Sequence, residues 1–370
     1  SSRYFVPCSN FSKVRLSHSV ACSASKFAVA VMGGESSAKA VATADKPSDF
    51  IFSNEPEPHA ARKAQILKAH PEITKLMGPE WRTKYIAAGT VVLQVFMAWL
   101  TLDWGWIPYL AAIYVIGATA NHSLFLAIHE LSHNLGAKRP DHNKMIGMIG
   151  NLAIGIPYCI TFKPYHMEHH RYQGHDGIDT DVPSYIEAWM VTQTATCYID
   201  HVLRKAVFMF FQIFAYACRP MFIKPDLVPV DGWLIANWVV QVSFDCAMVF
   251  WLGPRVMLYF LFSTFFAGSI HPTAGHFLAE HYVTEGKTET YSYYGPLNML
   301  TYNVGYHNEH HDFPNIAWSN LPKVRQVAPE FYDNLPQCES WPGIILRYIF
   351  DNSITPFSRV KRLGKAKKAL

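Results

Sequence analysis

Residues 107–133 read IPYLAAIYVIGATANHSLFLAIHELSH, an apolar run that ends in two histidines four residues apart. A hydrocarbon core of about 30 Å is crossed by roughly 20 residues of helix, so the run is long enough to span it. His129 and His133 then share one helix face at the end of the span. Taken alone, His-Glu-x-x-His is also the signature of a zinc protease, with the glutamate as general base. The rest of the chain separates these two meanings.

Half of the 370 residues are hydrophobic and only 16% are charged, against about 25% in a soluble domain. The 10 Trp and 19 Tyr belong to the types that favour membrane–water interfaces. Mean hydropathy is +0.05, too low for a bare helical bundle and suited to spans alternating with polar segments. The net charge is +4, and the chain closes on RVKRLGKAKKAL. A basic tail beside a membrane predicts a cytosolic segment near anionic lipid. Nucleic acid is not expected as a partner, because no basic recognition module accompanies the tail. The seven cysteines are scattered without a CxxC pair, which argues against a disulfide framework and against a thiolate zinc site.

A second apolar run, YIAAGTVVLQVFMAWLTL (85–102), precedes the first and completes a membrane hairpin. WLIANWVVQVSFDCAMVFWL (233–252) and VMLYFLFSTFFAGSI (256–270) make another. Asp245 inside the third run predicts a partner facing it from the bundle. Two shorter runs, 145–162 and 206–218, predict interfacial or half-inserted helices. Lys138, Arg139, Lys144, Lys163 and Arg171 follow the first hairpin, and Arg204, Lys205, Arg219 and Lys224 precede the second. The positive-inside rule puts these segments and both termini in the cytosol, with Arg255 the one dissent. The predicted fold is an all-α integral membrane protein. It has four transmembrane helices in two hairpins plus interfacial helices, capped by a cytosolic helical domain.

Residues 1–47 read as a leader, Ser-rich and free of Asp and Glu over the first 34 residues. That composition suits an organelle transit peptide. Alternatively, MGGESS at Met32 matches the N-myristoylation pattern, with the lipid on Gly33 and the preceding residues upstream of the true start.

Two more histidine clusters follow HELSH: HMEHH, with His166, His169 and His170, and HNEHH, with His307, His310 and His311. On a helix, residues three and four apart share a face, so each trio of imidazoles converges. Eight histidines exceed what one tetrahedral zinc uses, and the count asks for two metals. SIHPTAGHFLAEHY (269–282) adds His271, His276 and His281, one of which completes a metal's shell. Isolated histidines such as His59 and His201 read as packed or surface residues. Imidazole suits Zn, Cu, Fe and Ni. Attack by O2 on an unactivated C–H bond needs a redox metal, and a pair of irons shares the electrons. The combination predicts O2-dependent oxidation of a lipid, with Glu130, Glu168 and Glu309 orienting the histidines through their second ring nitrogens.

At these residues the sequence resembles the membrane fatty-acyl desaturase and hydroxylase superfamily, and most closely the sphingolipid Δ4-desaturases. The strings that carry the likeness include NHSLFLAIHELSHN, NLAIGIPYCITFKPYHMEHHRYQG, DGIDTDVP, GHFLAEHY, ETYSYYGPLNMLTYNVGYHNEHHDFPNI and YDNLPQCESW, within roughly 48–360. The resemblance implies residues 48–84 as the family's N-terminal segment, 85–360 as the desaturase domain and 361–370 as a basic cytosolic tail. It implies two iron ions held by His129, His133, His166, His169, His170, His307, His310 and His311. A ninth histidine is expected from the segment before the third cluster, with His276 preferred over His271 and His281. Further implications are O2 as oxidant, electrons from NADH through cytochrome b5 reductase and cytochrome b5, and an endoplasmic reticulum membrane. The implied reaction converts dihydroceramide to ceramide by a trans-4 double bond. Myristoylation at the start is common in the family, which favours the Gly33 alternative. A C4-hydroxylase or bifunctional enzyme is the nearest rival. An intramembrane zinc protease leaves His166–His170 and His307–His311 without a task. A metal transporter wants polar residues through spans that carry almost none.

Overall fold

The computed structural model describes residues 47–192 and 195–363. Met32, Gly33, the rest of the leader to residue 46 and the tail from residue 364 lie outside the described residues. The chain is mostly helical: α1 (Pro58–Ala69), α2 (Thr83–Leu100), α3 (Trp106–Ala112), α4 (Ala118–Ser132), α5 (Pro140–Asn151), α6 (Cys159–Arg171), α7 (Tyr185–Thr192), α8 (Tyr198–Ile223), α9 (Gly232–Leu252), α10 (Arg255–Ala267), α11 (His276–Ala279), α12 (His307–Asp312), α13 (Leu321–Val327) and α14 (Trp341–Phe350). One small parallel pairing joins β1 (Ile51–Ser53) to β2 (Val360–Arg362).

Among the described residues, five helices are long and apolar enough to cross a membrane: Thr83–Leu100, Trp106–Ser132, Tyr198–Ile223, Gly232–Leu252 and Arg255–Ala279. The sequence predicts four. The additional one is α8, which contains the 206–218 run and extends it through Asp200, Arg204 and Lys205, the charges that cut the apolar signal short. Both ends of α8 are bonded to polar elements. Tyr198 Oη donates to the Phe350 carbonyl at 2.9 Å and Lys205 Nζ to the Asp351 carbonyl at 2.7 Å. Near the other end, Arg219 pairs with Glu187 at 2.6 Å.

The 145–162 run is a broken pair, α5 and α6, bent by 112° at the break. Gly155 makes the turn with φ 77°, a left-handed conformation that side chains resist. A break beside apolar helices exposes carbonyls that must find donors within the protein. Four side chains supply them. Gln241 Nε2 donates to Leu152 O at 3.0 Å, Asn121 Nδ2 to Ala153 O at 3.1 Å, Thr264 Oγ1 to Ile154 O at 2.8 Å and Asn151 Nδ2 to Ile156 O at 2.6 Å. Asp245 does have a partner: Gln241 Nε2 donates to it at 2.9 Å. The polar residues in the apolar helices thus serve as caps for the broken segment.

The helix core forms where small residues let backbones approach. A Cβ added at Gly117 would lie 2.1 Å from Ser263 Oγ, so α10 packs against the α3–α4 helix at its closest there. Buried Ala87, Leu124, Ala127, Ile128, Tyr259 and Phe260 fill the space around this contact. A separate cluster of Ile66, Ile73, Phe313, Leu321, Val324 and Tyr332 sits between α1, α12 and α13. It fixes the third histidine cluster to the N-terminal segment. Lys361 and Arg362, predicted as the start of a free basic tail, are instead buried in β2, where Lys361 pairs with Asp176 at 2.7 Å and Arg362 pairs with Glu289.

Candidate metal centre

Three helix ends deliver the histidines to one place. α4 ends on His129 and His133, α6 carries His166, His169 and His170, and α12 carries His307, His310 and His311. Their ring nitrogens form two groups, His129–His133–His166–His170–His310 and His169–His281–His311. Within each group every ligand atom lies within 4.8 Å of the others.

The spacing tests whether the groups fit metal ions. In the first group, His166 Nε2 lies 2.8 Å from His133 Nε2 and 3.1 Å from His170 Nε2, which is itself 3.1 Å from His310 Nε2. In the second, His281 Nε2 lies 3.1 Å from His169 Nε2, and it is 3.0 Å from Nε2 of His307, which stands beside this group and outside both. A neutral ring nitrogen carries one proton or one lone pair, so it cannot satisfy two such neighbours by hydrogen bonding. A shared cation can. Nitrogens bound at about 2.1 Å and subtending a right angle lie about 3 Å apart, which is the spacing seen. His311 Nε2 is buried with no hydrogen-bond partner among the described residues, as an open lone pair would be.

Electrostatics point the same way. Burial, then repulsion from neighbouring imidazoles, holds His281, His307, His310 and His311 well below the ordinary histidine range. These four are thereby held toward the neutral form, the form that ligates metal, whereas His169 is raised, burial being outweighed by the charge of Asp179 and its hydrogen bond.

Two expectations change. His276 belongs to neither group: its Nδ1 bonds Glu280 Oε1 at 3.0 Å and its ring lies against His122 with centroids 4.7 Å apart. His281, five residues on, stands in the second histidine group instead, because the chain leaves α11 at Ala279 and turns His281 toward α6 and α12. His271 is tied to Thr273 at 2.7 Å. The cluster glutamates do not orient histidines. Glu130 accepts the Trp318 backbone N–H at 3.1 Å, Glu168 pairs with Lys224 at 2.5 Å, and Glu309 accepts from Ser292 Oγ and Tyr294 Oη, both at 2.8 Å.

The groups that do hold the rings are others. Asp179 Oδ1 lies 3.0 Å from His169 Nδ1, and the Glu289 carbonyl 3.2 Å from His281 Nδ1. Each fixes the proton on Nδ1 and turns the Nε2 lone pair inward. Asp179 lies in the acidic string DGIDTDVP, whose charges beside a histidine cluster are the only sequence signal for its role. Nothing in the sequence marks a backbone carbonyl.

Comparison with known proteins agrees with this geometry. Residues 104–341 match the family model described as fatty acid desaturase, and residues 46–82 match that of the sphingolipid Delta4-desaturase. A protein of Oryza sativa subsp. japonica named sphingolipid delta(4)-desaturase DES1-like is 48% identical over 320 residues, 86% of this chain and 94% of its own. The sphingolipid delta(4)-desaturase of Schizosaccharomyces pombe is 47% identical, over 85% of this chain and 88% of its own. That of Rattus norvegicus is 44% identical, over 86% of this chain and 95% of its own. The likeness runs through all three histidine clusters and their apolar helices, so the chain belongs to the fatty acid desaturase family, a family of histidine-rich membrane oxidoreductases.

Proposed function

We propose that this protein introduces a trans-4 double bond into the sphingoid base of dihydroceramide, giving ceramide, at two iron ions held by the two histidine groups. The observation that carries the reading is the pair of adjoining all-imidazole groups, in a chain whose relatives at 44–48% identity are named sphingolipid delta(4)-desaturases. His129, His133, His166, His170 and His310 would hold one ion, and His169, His281, His307 and His311 the other. The bound irons would supply O2 activation and removal of hydrogen from C4 and C5. The balance closes: O2 takes two hydrogens from the lipid and two electrons with two protons from outside, leaving two waters.

The chain's own residues supply aim and dryness. Asp179 and the Glu289 carbonyl fix two rings by their Nδ1 protons. Burial of His169, His281, His307, His310 and His311 keeps water from competing for the ions. Electrons come from NADH through cytochrome b5 reductase and cytochrome b5. Exposed Lys138, Arg139 and Arg171 offer a cationic face to that acidic carrier, and raised salt should slow transfer by screening it.

In the membrane, α2, the α3–α4 helix, α9 and α10 form two spanning hairpins with both termini cytosolic. α8 lies along the surface, supported by the polar bonds at both its ends. Its exposed Val207, Phe211 and Phe214 face lipid. The membrane is that of the endoplasmic reticulum.

The test is dihydroceramide deuterated at C4 and C5, given to microsomes that contain the protein, with lipids read by mass spectrometry. One deuterium lost from each carbon, absent in His307→Ala, is the expected result. A C4-hydroxylated product would replace the proposal with a hydroxylase, and no product would remove dihydroceramide as the substrate.

A further inference from the structure

A buried set of charged and polar side chains joins α1 to α12, on the face of α12 that adjoins its histidines. Asp312, whose side chain is fully buried, lies 2.6 Å from Arg62 Nε, 2.9 Å from Arg62 Nη2, 2.8 Å from His59 Nδ1 and 2.9 Å from Tyr332 Oη. Arg62 Nη2 also donates to Asn308 Oδ1 at 2.8 Å. His59 Nε2 completes the set against Thr290 Oγ1 at 3.1 Å.

The size of α12 gives this set its meaning. The helix has six residues, and isolated helices shorter than about 12–15 residues are marginal by themselves. Its rotation about its own axis must therefore come from outside. Asn308 and Asp312 are i and i+4, one above the other on a single face. A guanidinium bonded to both fixes that face, and with it the aim of His307, His310 and His311 on the adjoining face. The His59 ring, 4.8 Å from the ring of His311, closes the remaining gap.

We infer that Arg62, backed by His59, is a positioning residue for the third histidine cluster. The segment that matches the sphingolipid Delta4-desaturase model, residues 46–82, is then part of the scaffold of the metal centre. The inference rests on the reading of the histidine groups as an iron site. Arg62 acts through Asp312 and Asn308, and His59 acts through Asp312 and through its ring packed beside that of His311.

The test uses the full chain in detergent, loaded with ferrous iron and dialysed against graded chelator. Iron per chain, the visible spectrum of the oxidised centre, and kcat and KM for the lipid are read together. Arg62→Lys keeps the charge beside Asp312 but loses the fork that spans two side chains. It should melt as the wild type does, release iron at about tenfold lower chelator, show a shifted spectrum and lose about tenfold in kcat with KM unchanged. The double variant Arg62→Met with Asp312→Asn removes both charges together and leaves no carboxylate buried alone. It should show the same loss of iron. Wild-type iron retention and spectrum in both variants would overturn the inference while leaving the iron site intact. A wild-type chain that retains no iron would overturn both.

Discussion

His169 and His281 meet nitrogen to nitrogen at 3.1 Å across 112 residues of sequence, one from a helix and the other from the turn that follows α11. The contact assigns His281, and not His276, to the second histidine group. His281→Ala should therefore lower iron content and reduce desaturation by more than about 100-fold, beyond the 10–100-fold that outer groups cost. His276→Ala should keep its iron. Metal analysis of the two purified variants, side by side, checks the assignment. Equal iron loss in both would return His276 to the ligand set.

Asp179 holds His169 Nδ1 and also accepts the Gly174 N–H at 2.7 Å. Asp179→Asn preserves shape but weakens the hold on the ring. Activity should fall about 10–100-fold with the chain still folded, as read by turnover together with thermal melting. Unchanged turnover would show that the ring needs no such partner.

Asn121 caps the Ala153 carbonyl while accepting from Gln94 Nε2 at 2.5 Å. Asn121→Leu removes the donor to the Ala153 carbonyl and leaves Gln94 Nε2 with only its bond to the Gly117 carbonyl, at a cost of about 1–3 kcal/mol. Asp245→Asn, at a half-buried residue bonded to Gln241, should cost well under that. Melting in detergent distinguishes them, and equal melting points would deny the capping role.

A Cβ at Gly275 would stand 2.3 Å from the Trp341 carbonyl oxygen, a backbone atom with little freedom to retreat. Gly275→Ala should destabilise the chain by about 1–3 kcal/mol or more, by overpacking. Gly89→Ala, inside α2 with open space around its Cβ, is the control and should melt no lower than the wild type.

Chelation should remove both ions and all activity, and refilling with ferrous iron should restore it. Zinc suits the same imidazoles and should keep the chain folded without turnover. A zinc-loaded chain with proteolytic activity would revive the other meaning of His-Glu-x-x-His.

The histidine clusters are legible because their spacing is local. His129 and His133, and the two HxxHH runs, each place rings on one face by helical period alone. His281 was visible only as one of three, since the turn after Ala279 decides which ring enters, and a turn carries no periodic signal. The spans were legible from uninterrupted apolar length. α8 was read short because Asp200, Arg204 and Lys205 interrupt the run, although Lys205 is fully buried against a carbonyl of the chain. Arg62 and His59, the α1 partners of Asp312, are out of reach because they lie 250 and 253 residues away, whereas Asp179 and the Glu289 carbonyl lie only 10 and 8 residues from their rings, in loops that carry no periodic signal. His59 reads as a packed or surface residue, and it is buried, at 4% exposure.

The pairing of Ile51 with Val360 and of Ser53 with Arg362 sets a clock on biogenesis. Ile51 leaves the ribosome early and waits for its neighbour while, at about 5–20 residues per second, on the order of 15–60 s pass. Arg362 pairs with Glu289, whose carbonyl holds His281, so the turn that carries His281 gains this brace only after translation reaches that strand. An iron site of the kind proposed would then be completed late. Ribosome-stalled nascent chains halted before residue 350 should accordingly exchange radioactive iron freely, whereas chains released after residue 363 should retain it.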